Sequence, residues 1–369
     1  MQPATSAPSS RDKQPRAASN PSSKIQDPKS RRHVLVTGAA GFIGSNLVHW
    51  LLRQRENLRV TSVDALFYAG NLANLEDLTR DDRHRFIHGN ICDRQLIAGL
   101  LDDGVDAIIN AAAQTHVDRS LMGADEFVSS NLGGVQVQLD LLKQRPHIRF
   151  LQVSTDEVYG SRRPDDPAAE TAALCPRNPY AATKAGADLL ALSYHHSFGL
   201  DVVITRCCNN YGPYHYPEKV IPLFITNLLD GQKVPLYGDG LNYREWIHVD
   251  DHCAAIARVL AAGRSGEVYN ITSGEGMPNV ELTRRILAAL DRDESFIRHV
   301  TDRPGHDRCY LLDGSKIERE LGWSAAVHFD EGLKQTVQWY RENEAWWRPI
   351  KSGEYRRYYE RQYGQRGAK

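Results

Sequence analysis

The chain has 369 residues, 41% of them hydrophobic, and a formal net charge of −1. That length supports a large core in one domain or two intertwined ones, and the near-neutral charge gives no electrostatic case for nucleic acid or a membrane surface as partner. No apolar stretch approaches the roughly 20 residues that a bilayer demands. The six cysteines (Cys92, Cys175, Cys207, Cys208, Cys253, Cys309) show no C-x-x-C spacing, so a reduced, cytoplasmic protein with neither a disulfide framework nor a metal is expected.

Residues 1–32 are rich in Ser, Pro, Ala, Lys and Arg and lack both periodicity and the apolar core of a secretory signal; a disordered tail outside catalysis is expected. From His33 the chain alternates short apolar runs with helical stretches. The runs are 34–36, 60–63, 85–88, 107–111, 150–154 and 202–206. This alternation predicts an α/β fold: a Rossmann-type doubly wound parallel sheet, with a smaller, irregular α/β substrate domain. The first run enters Gly38-Ala39-Ala40-Gly41-Phe42-Ile43-Gly44 and then a helical stretch. Glycines so spaced allow a tight turn and close backbone approach, and the helix N-terminus then faces a dinucleotide pyrophosphate. Asp64 ends the second run, twenty residues beyond Gly44. A carboxylate there suits the ribose diol of NAD and repels the 2′-phosphate of NADP.

The fifth run passes into Ser154-Thr155-Asp156-Glu157-Val158-Tyr159-Gly160, and Tyr180-Ala181-Ala182-Thr183-Lys184 opens a later helical stretch. Positions i and i+4 share a helix face, so the Lys184 ammonium should lie near the Tyr180 phenol and lower its pKa from about 10 toward working pH. A simple dehydrogenase needs only that pair. Two adjacent carboxyl groups add an acid and a base, as an enzyme needs that oxidises a carbon, expels water beside it and reduces again. Adjacent residues of a strand point to opposite faces. Asp156 and Glu157 must therefore lie beyond the strand's C-terminal end, where such sheets bind ligands. A solvated acidic turn is the plainer alternative for any Asp-Glu pair. Cys207-Cys208, in an apolar run, reads as packing. Beyond residue 206 the pattern becomes irregular, as in Tyr211-Gly212-Pro213-Tyr214-His215-Tyr216-Pro217. The expected division is a cofactor domain over 33–206, joined by a returning segment near 244–264, a nucleotide-sugar domain over 207–350, and an extension over 351–369.

These segments resemble the extended short-chain dehydrogenase/reductase family, and within it the dTDP-glucose 4,6-dehydratases. The likeness runs over about 33–348 and rests on 37–44, Tyr68-Ala69-Gly70-Asn71, 115–120, 154–160, 180–184, 209–219, 244–252 and 302–307. The first of these and 180–184 are shared across the superfamily, whereas the Thr-Asp-Glu triplet and 209–219 are far more specific. The deoxysugar pathways of actinomycetes come nearest, which suggests antibiotic biosynthesis. The resemblance implies a bound NAD held by Gly38, Gly41, Phe42, Ile43, Gly44 and Asp64, with Asn90 and Ile91 near the adenine, Ala111 and Ala113 beside it, and Tyr180 and Lys184 at the nicotinamide. It implies a nucleotide-sugar substrate, dTDP-glucose, gripped by His116, Asn209, Lys219, Arg244, Asn270, Arg303 and His306, with Tyr237 against the base or simply in the core. The implied chemistry has Tyr180, aided by Lys184 and Thr155, deprotonating the C4 hydroxyl. Glu157 then removes the C5 proton and Asp156 protonates the departing C6 hydroxyl, giving dTDP-4-keto-6-deoxyglucose. The family's usual residues differ at Asn90 (Asp), Gln114 (Glu) and Glu245 (Asp), none of them catalytic.

Two other readings share part of this pattern. An epimerase or a UDP-glucuronate decarboxylase on the same scaffold would keep the glycines and the Tyr–Lys pair, but neither has to expel the C6 hydroxyl. A non-catalytic NAD sensor has no reason to keep Thr155, Tyr180 and Lys184 together. The stretches 124–143 and 180–197 are apolar on one face, and the resemblance implies that they pair across a twofold axis as a homodimer.

Overall fold

A computed structural model describes residues 32–302 and 305–352. The features expected at 1–31, at Arg303 and over 353–369 lie outside the described residues. Among the described residues, twelve strands follow in chain order: β1 Arg32–Thr37, β2 Leu58–Asp64, β3 His84–His88, β4 Ala107–Asn110, β5 Arg149–Thr155, β6 Val202–Cys207, β7 Asn209–Tyr211, β8 Val234–Tyr237, β9 Tyr243–His248, β10 Val268–Ile271, β11 Gly276–Pro278 and β12 Ile297–Val300. Seven of them form one parallel sheet in the order β10-β6-β5-β4-β1-β2-β3. The six apolar runs are six of these strands. The seventh, β10, is only four residues long and joins the edge beside β6 after the helix Val249–Ala262.

The central strands are buried on both faces, which is why they read as unbroken apolar runs rather than alternating ones. Val34 and Val36 of β1 face a core shared with the helices Phe42–Gln54 and Val249–Ala262, while Leu35 faces another with Arg94–Asp102, Gly134–Leu142 and Pro179–Phe198. Strand order reverses between β1 and β4, and the crevice beyond the carboxyl ends of these strands is where such sheets bind ligands. A separate core gathers the helices Val220–Leu229, Asn279–Ala289, Phe329–Glu342 and Glu344–Ile350 around β7, β8, β9 and β11.

The helix Pro179–Phe198 starts where its sequence says it should. Asn178 accepts from the Ala181 N–H at 2.8 Å, and Pro179 occupies the first turn, where its missing N–H costs nothing. The helical course over 124–143 is less regular: a π-type turn, Val128–Gly133, sits between Asp125–Phe127 and Gly134–Leu142.

Candidate active site

A cavity of about 330 Å³ opens at the crevice, lined at one end by Gly38, Gly41, Phe42, Ile43, Gly44 and Asp64 and at the other by Thr155, Asp156, Glu157 and Tyr180. The turn after β1 requires its glycines. Gly38 has φ +67°, and a Cβ there would stand 2.6 Å from the Ala112 backbone; one at Gly44 would stand 2.0 Å from the Gly38 carbonyl oxygen. With no side chains in the way, the helix N-terminus is open to an anionic ligand. The Asp64 carboxylate accepts from the Ala40 N–H at 2.9 Å and the Leu66 N–H at 2.7 Å, which fixes it at the cavity wall with lone pairs to spare. Asn90, Ile91, Ala111 and Ala113 line the same wall. The Asn90 amide oxygen already accepts from the Cys92 N–H at 2.9 Å, leaving one acceptor site for an adenine. These residues fit a dinucleotide.

Asp156 and Glu157 stand in a 3-10 turn, Asp156–Tyr159, directly past the end of β5. The Thr155 hydroxyl donates to Asp156 Oδ1 at 3.1 Å and accepts from the Glu157 N–H at 3.3 Å, so one side chain sets the turn. The two carboxyl groups meet different surroundings. Asp156 is 4% exposed, and its Oδ2 has no partner. Burial first, then the Glu157 charge, pushes it well above the usual carboxylate range and favours the protonated acid. Glu157 instead accepts from Asn178 Nδ2 at 3.0 Å, and the Tyr310 hydroxyl, which donates its proton to Asp307 Oδ2 at 2.7 Å, lies 3.4 Å away.

Tyr180 lines the cavity, whereas Lys184 sits behind it and donates to the Val153 carbonyl at 2.6 Å. The expected lowering of the phenol by Lys184 is not what the folded chain provides. Burial, and then the Glu157 charge, pushes Tyr180 up, with hydrogen bonding to Thr155 opposing. Burial also lowers Lys184 to about 8, against the pull of Asp188. Asp188 itself accepts from Ser154 Oγ at 3.0 Å and from Arg206 Nε at 2.9 Å. Arg206 in turn donates to the Tyr159 hydroxyl at 2.8 Å. This buried chain ties the helix of Tyr180 to the strand and turn carrying Thr155, Asp156 and Glu157.

The substrate-side residues divide. Asn209 and Lys219 line the cavity, and the buried Oδ1 of Asn209 has no partner, as an atom awaiting a ligand would. Lys219 donates to the Thr115 carbonyl at 3.0 Å. Arg244 lies over the Tyr310 ring at 4.1 Å and donates to the Asp307 carbonyl at 2.8 Å, beside the catalytic turn. Tyr237 and His306 meet edge to face at 6.0 Å, away from the cavity wall. His116 caps the helix Val117–Met122 and approaches Glu218 at 3.4 Å, outside the cavity lining. Asn270 is a correction. It is 0% exposed, its amide donates to the Ala168 and Asp313 carbonyls, and its oxygen accepts from Tyr159, so nothing remains to grip a diphosphate. Arg303 lies outside the described residues. Sequence reasoning missed Asn178, which donates to Glu157, and Tyr310, which packs beside it. The Asn-Pro start of a helix was a signal for Asn178; Tyr310 had none.

A Rossmann sheet with a glycine turn at its switch point, facing a tyrosine–lysine helix, is the fold and cleft of an extended short-chain dehydrogenase/reductase. Residues 35–336 match the profile of the GDP-mannose 4,6 dehydratase family. A dTDP-glucose 4,6-dehydratase of Streptomyces niveus is 51% identical over 323 residues, covering 86% of this chain and 96% of the relative; that of an Actinoplanes species is 53% identical over 319 residues, covering 85% and 99%. Among solved structures, DesIV (dTDP-glucose 4,6-dehydratase) of Streptomyces venezuelae, with NAD and TYD bound, superimposes with a TM-score of 0.84 at 54% identity, covering 86% of this chain and 99% of that one. The chain belongs to the GDP-mannose 4,6 dehydratase family, and its dTDP-glucose 4,6-dehydratase relatives are its kin at about half identity.

Proposed function

We propose that this chain is an NAD-dependent hydro-lyase converting dTDP-glucose to dTDP-4-keto-6-deoxyglucose in deoxysugar biosynthesis. The observation that carries the reading is the split environment of the two carboxyl groups: Asp156 buried with an unpartnered oxygen, Glu157 held by the Asn178 amide, both lining the cavity with Tyr180. Neither epimerisation nor decarboxylation needs that pair. NAD, when bound, supplies two-electron oxidation at C4 and reduction at C6, and it is regenerated in each cycle. Tyr180 accepts the C4 hydroxyl proton, with Thr155 on the same cavity wall. The resulting ketone acidifies the C5 hydrogen, which Glu157 removes as Asp156 protonates the departing C6 hydroxyl. Glu157 then returns its proton to C5. Mass spectrometry of a reaction with dTDP-glucose should find a product lighter by one water, and an isomer of unchanged mass would favour an epimerase.

In this division of labour, residues 33–206 with the returning segment hold the cofactor and 207–350 the nucleotide sugar, through Asn209, Lys219 and Arg244. Asp64→Ala removes the acceptor for the ribose diol. It should weaken NAD binding by about 1.5–3 kcal/mol, the range for hydrogen bonds to a charged group; NAD retained through gel filtration as by the parent chain would contradict the assignment. Lys184, lowered to about 8, is an ammonium below that pH and neutral above it. If its charge supports Tyr180, kcat/KM should fall as pH rises through about 8, and activity undiminished well into the alkaline range would remove Lys184 from the scheme.

The chain forms a homodimer in this reading. Leu121, Met122, Val128, Leu189 and Phe198 are exposed on the helical segments Val117–Met122, Val128–Gly133 and Pro179–Phe198, with Leu189 at 58%. A second copy would cover them. A cytoplasmic setting accords with the free thiols, and no helix among the described residues is long and apolar enough to cross a membrane.

A further inference from the structure

The scheme above leaves one cluster of the cavity wall unused: Cys207, Asn210 and His252. Cys207 closes β6 in register with Thr155, the last residue of β5, so its sulfur stands at the ligand-binding edge of the sheet. It is a free thiol. Asn210 Nδ2 donates to Cys207 Sγ at 3.3 Å and to the Cys208 carbonyl at 2.9 Å. With both amide protons so placed, Asn210 Oδ1 faces His252 Nδ1 at 2.8 Å. An amide oxygen can only accept, which assigns the proton of a neutral imidazole to Nδ1 and leaves Nε2 as the base. That Nε2 is buried without a hydrogen-bond partner, on a residue 0% exposed.

One amide bonded to both the thiol and the imidazole gathers the parts that activate a cysteine nucleophile. The amide orients the ring, and the ring takes the thiol proton. Packing explains why Cys207 is buried; it does not explain an imidazole fixed by the same amide, with a free nitrogen, on the same cavity wall. The charge environment agrees. Burial pushes the Cys207 thiol up, but Cys208, the His252 charge and bonding from His252 and Asn210 outweigh it and hold the thiol down to about 5. Asp156, Glu245 and Cys253 also face Cys207, and each is pushed up, by burial first and by a Cys207 charge among the lesser causes. Cys208 is pushed up as well, so the activation is confined to one of the two adjacent thiols.

We propose that Cys207, paired with His252 and oriented by Asn210, is a nucleophilic thiolate and a covalent modification site for α,β-unsaturated carbonyl compounds small enough to enter the cavity. The sulfur adds to the β-carbon. An S–C bond forms as the C=C π pair shifts to the α-carbon, which takes the proton that His252 accepted from the thiol. No oxidant or leaving group is involved. An adduct here occupies the cavity that Asp156, Glu157 and Tyr180 share. The site requires nothing of the sugar chemistry and stands whether or not the dehydratase reading does.

The test is limited labelling of the folded full-length chain with N-ethylmaleimide at about pH 6, with adducts located by peptide mass spectrometry. An ordinary thiol with a pKa of about 8.5 is under roughly 1% thiolate at that pH. Cys207 should therefore be labelled at least about 10-fold faster than the exposed Cys175, although it is only 4% exposed itself. The Cys207→Ser variant should lose the fast adduct alone, and His252→Gln should slow labelling of Cys207 at least about 10-fold at pH 6 but far less in alkaline solution. Labelling of Cys175 first, with Cys207 unmodified in the folded protein, would overturn the proposal; so would a Cys207 rate indifferent to His252→Gln. The first comparison needs no variant, so it holds even if substitution of a buried histidine disturbs folding.

Discussion

Glu157→Gln should lose dehydration by about 10²–10⁴-fold in kcat, the usual yield of a positioned general base, while NAD stays bound. Glutamine preserves the shape and can still accept from Asn178 Nδ2, now 3.0 Å from the carboxylate, so the turn Asp156–Tyr159 should keep its course. What it removes is the basic oxygen. It also removes the charge that is the second cause, after burial, of the rise in both Asp156 and Tyr180. The variant should therefore retain C4 oxidation but fail to exchange the C5 hydrogen with deuterated solvent. Normal turnover, or normal exchange at C5, would show that Glu157 is not the base.

Asp156→Asn acts on the other half of the elimination. Asparagine can still accept from Thr155, but it has no proton to give a departing hydroxyl. Loss of about 10²-fold or more in kcat is expected, with C4 oxidation preserved. Because Glu157 remains, the bound 4-ketone should exchange its C5 hydrogen with solvent, unlike the Glu157 variant. Reduced nicotinamide should accumulate on the enzyme, visible in its near-ultraviolet absorbance. A variant that eliminates normally, or that shows neither accumulation nor exchange, would break the assignment of roles.

The parts of this fold legible in the sequence are those set by local rules. Buried parallel strands read as apolar runs, and Gly38 and Gly44 announce a turn that no side chain fits. The placement of Asp156 and Glu157 past the end of β5 followed from strand geometry alone. What stayed hidden depends on contacts between distant residues. Tyr310 reaches Glu157 across 153 positions, and Asn270 meets the Tyr159 hydroxyl across 111, so no spacing could disclose the first as a site residue or the second as a core one. The phenol of Tyr180 was misjudged for the same reason. Helical spacing puts Lys184 on its face, but burial and the Glu157 charge, which the spacing does not contain, decide the direction. The short β10 is not legible because four residues after a helix, one of them the polar Asn270, carry too little pattern.

The most direct test of the central claim is incubation of the purified chain with dTDP-glucose and no added NAD, followed by alkali to reveal the absorbance of a 4-keto sugar. The account predicts a signal, since the reaction returns its cofactor to the starting state and a retained NAD suffices. Silence with dTDP-glucose, alongside product from UDP-glucose or UDP-glucuronate, would contradict it and assign the chain to a sister activity on the same scaffold.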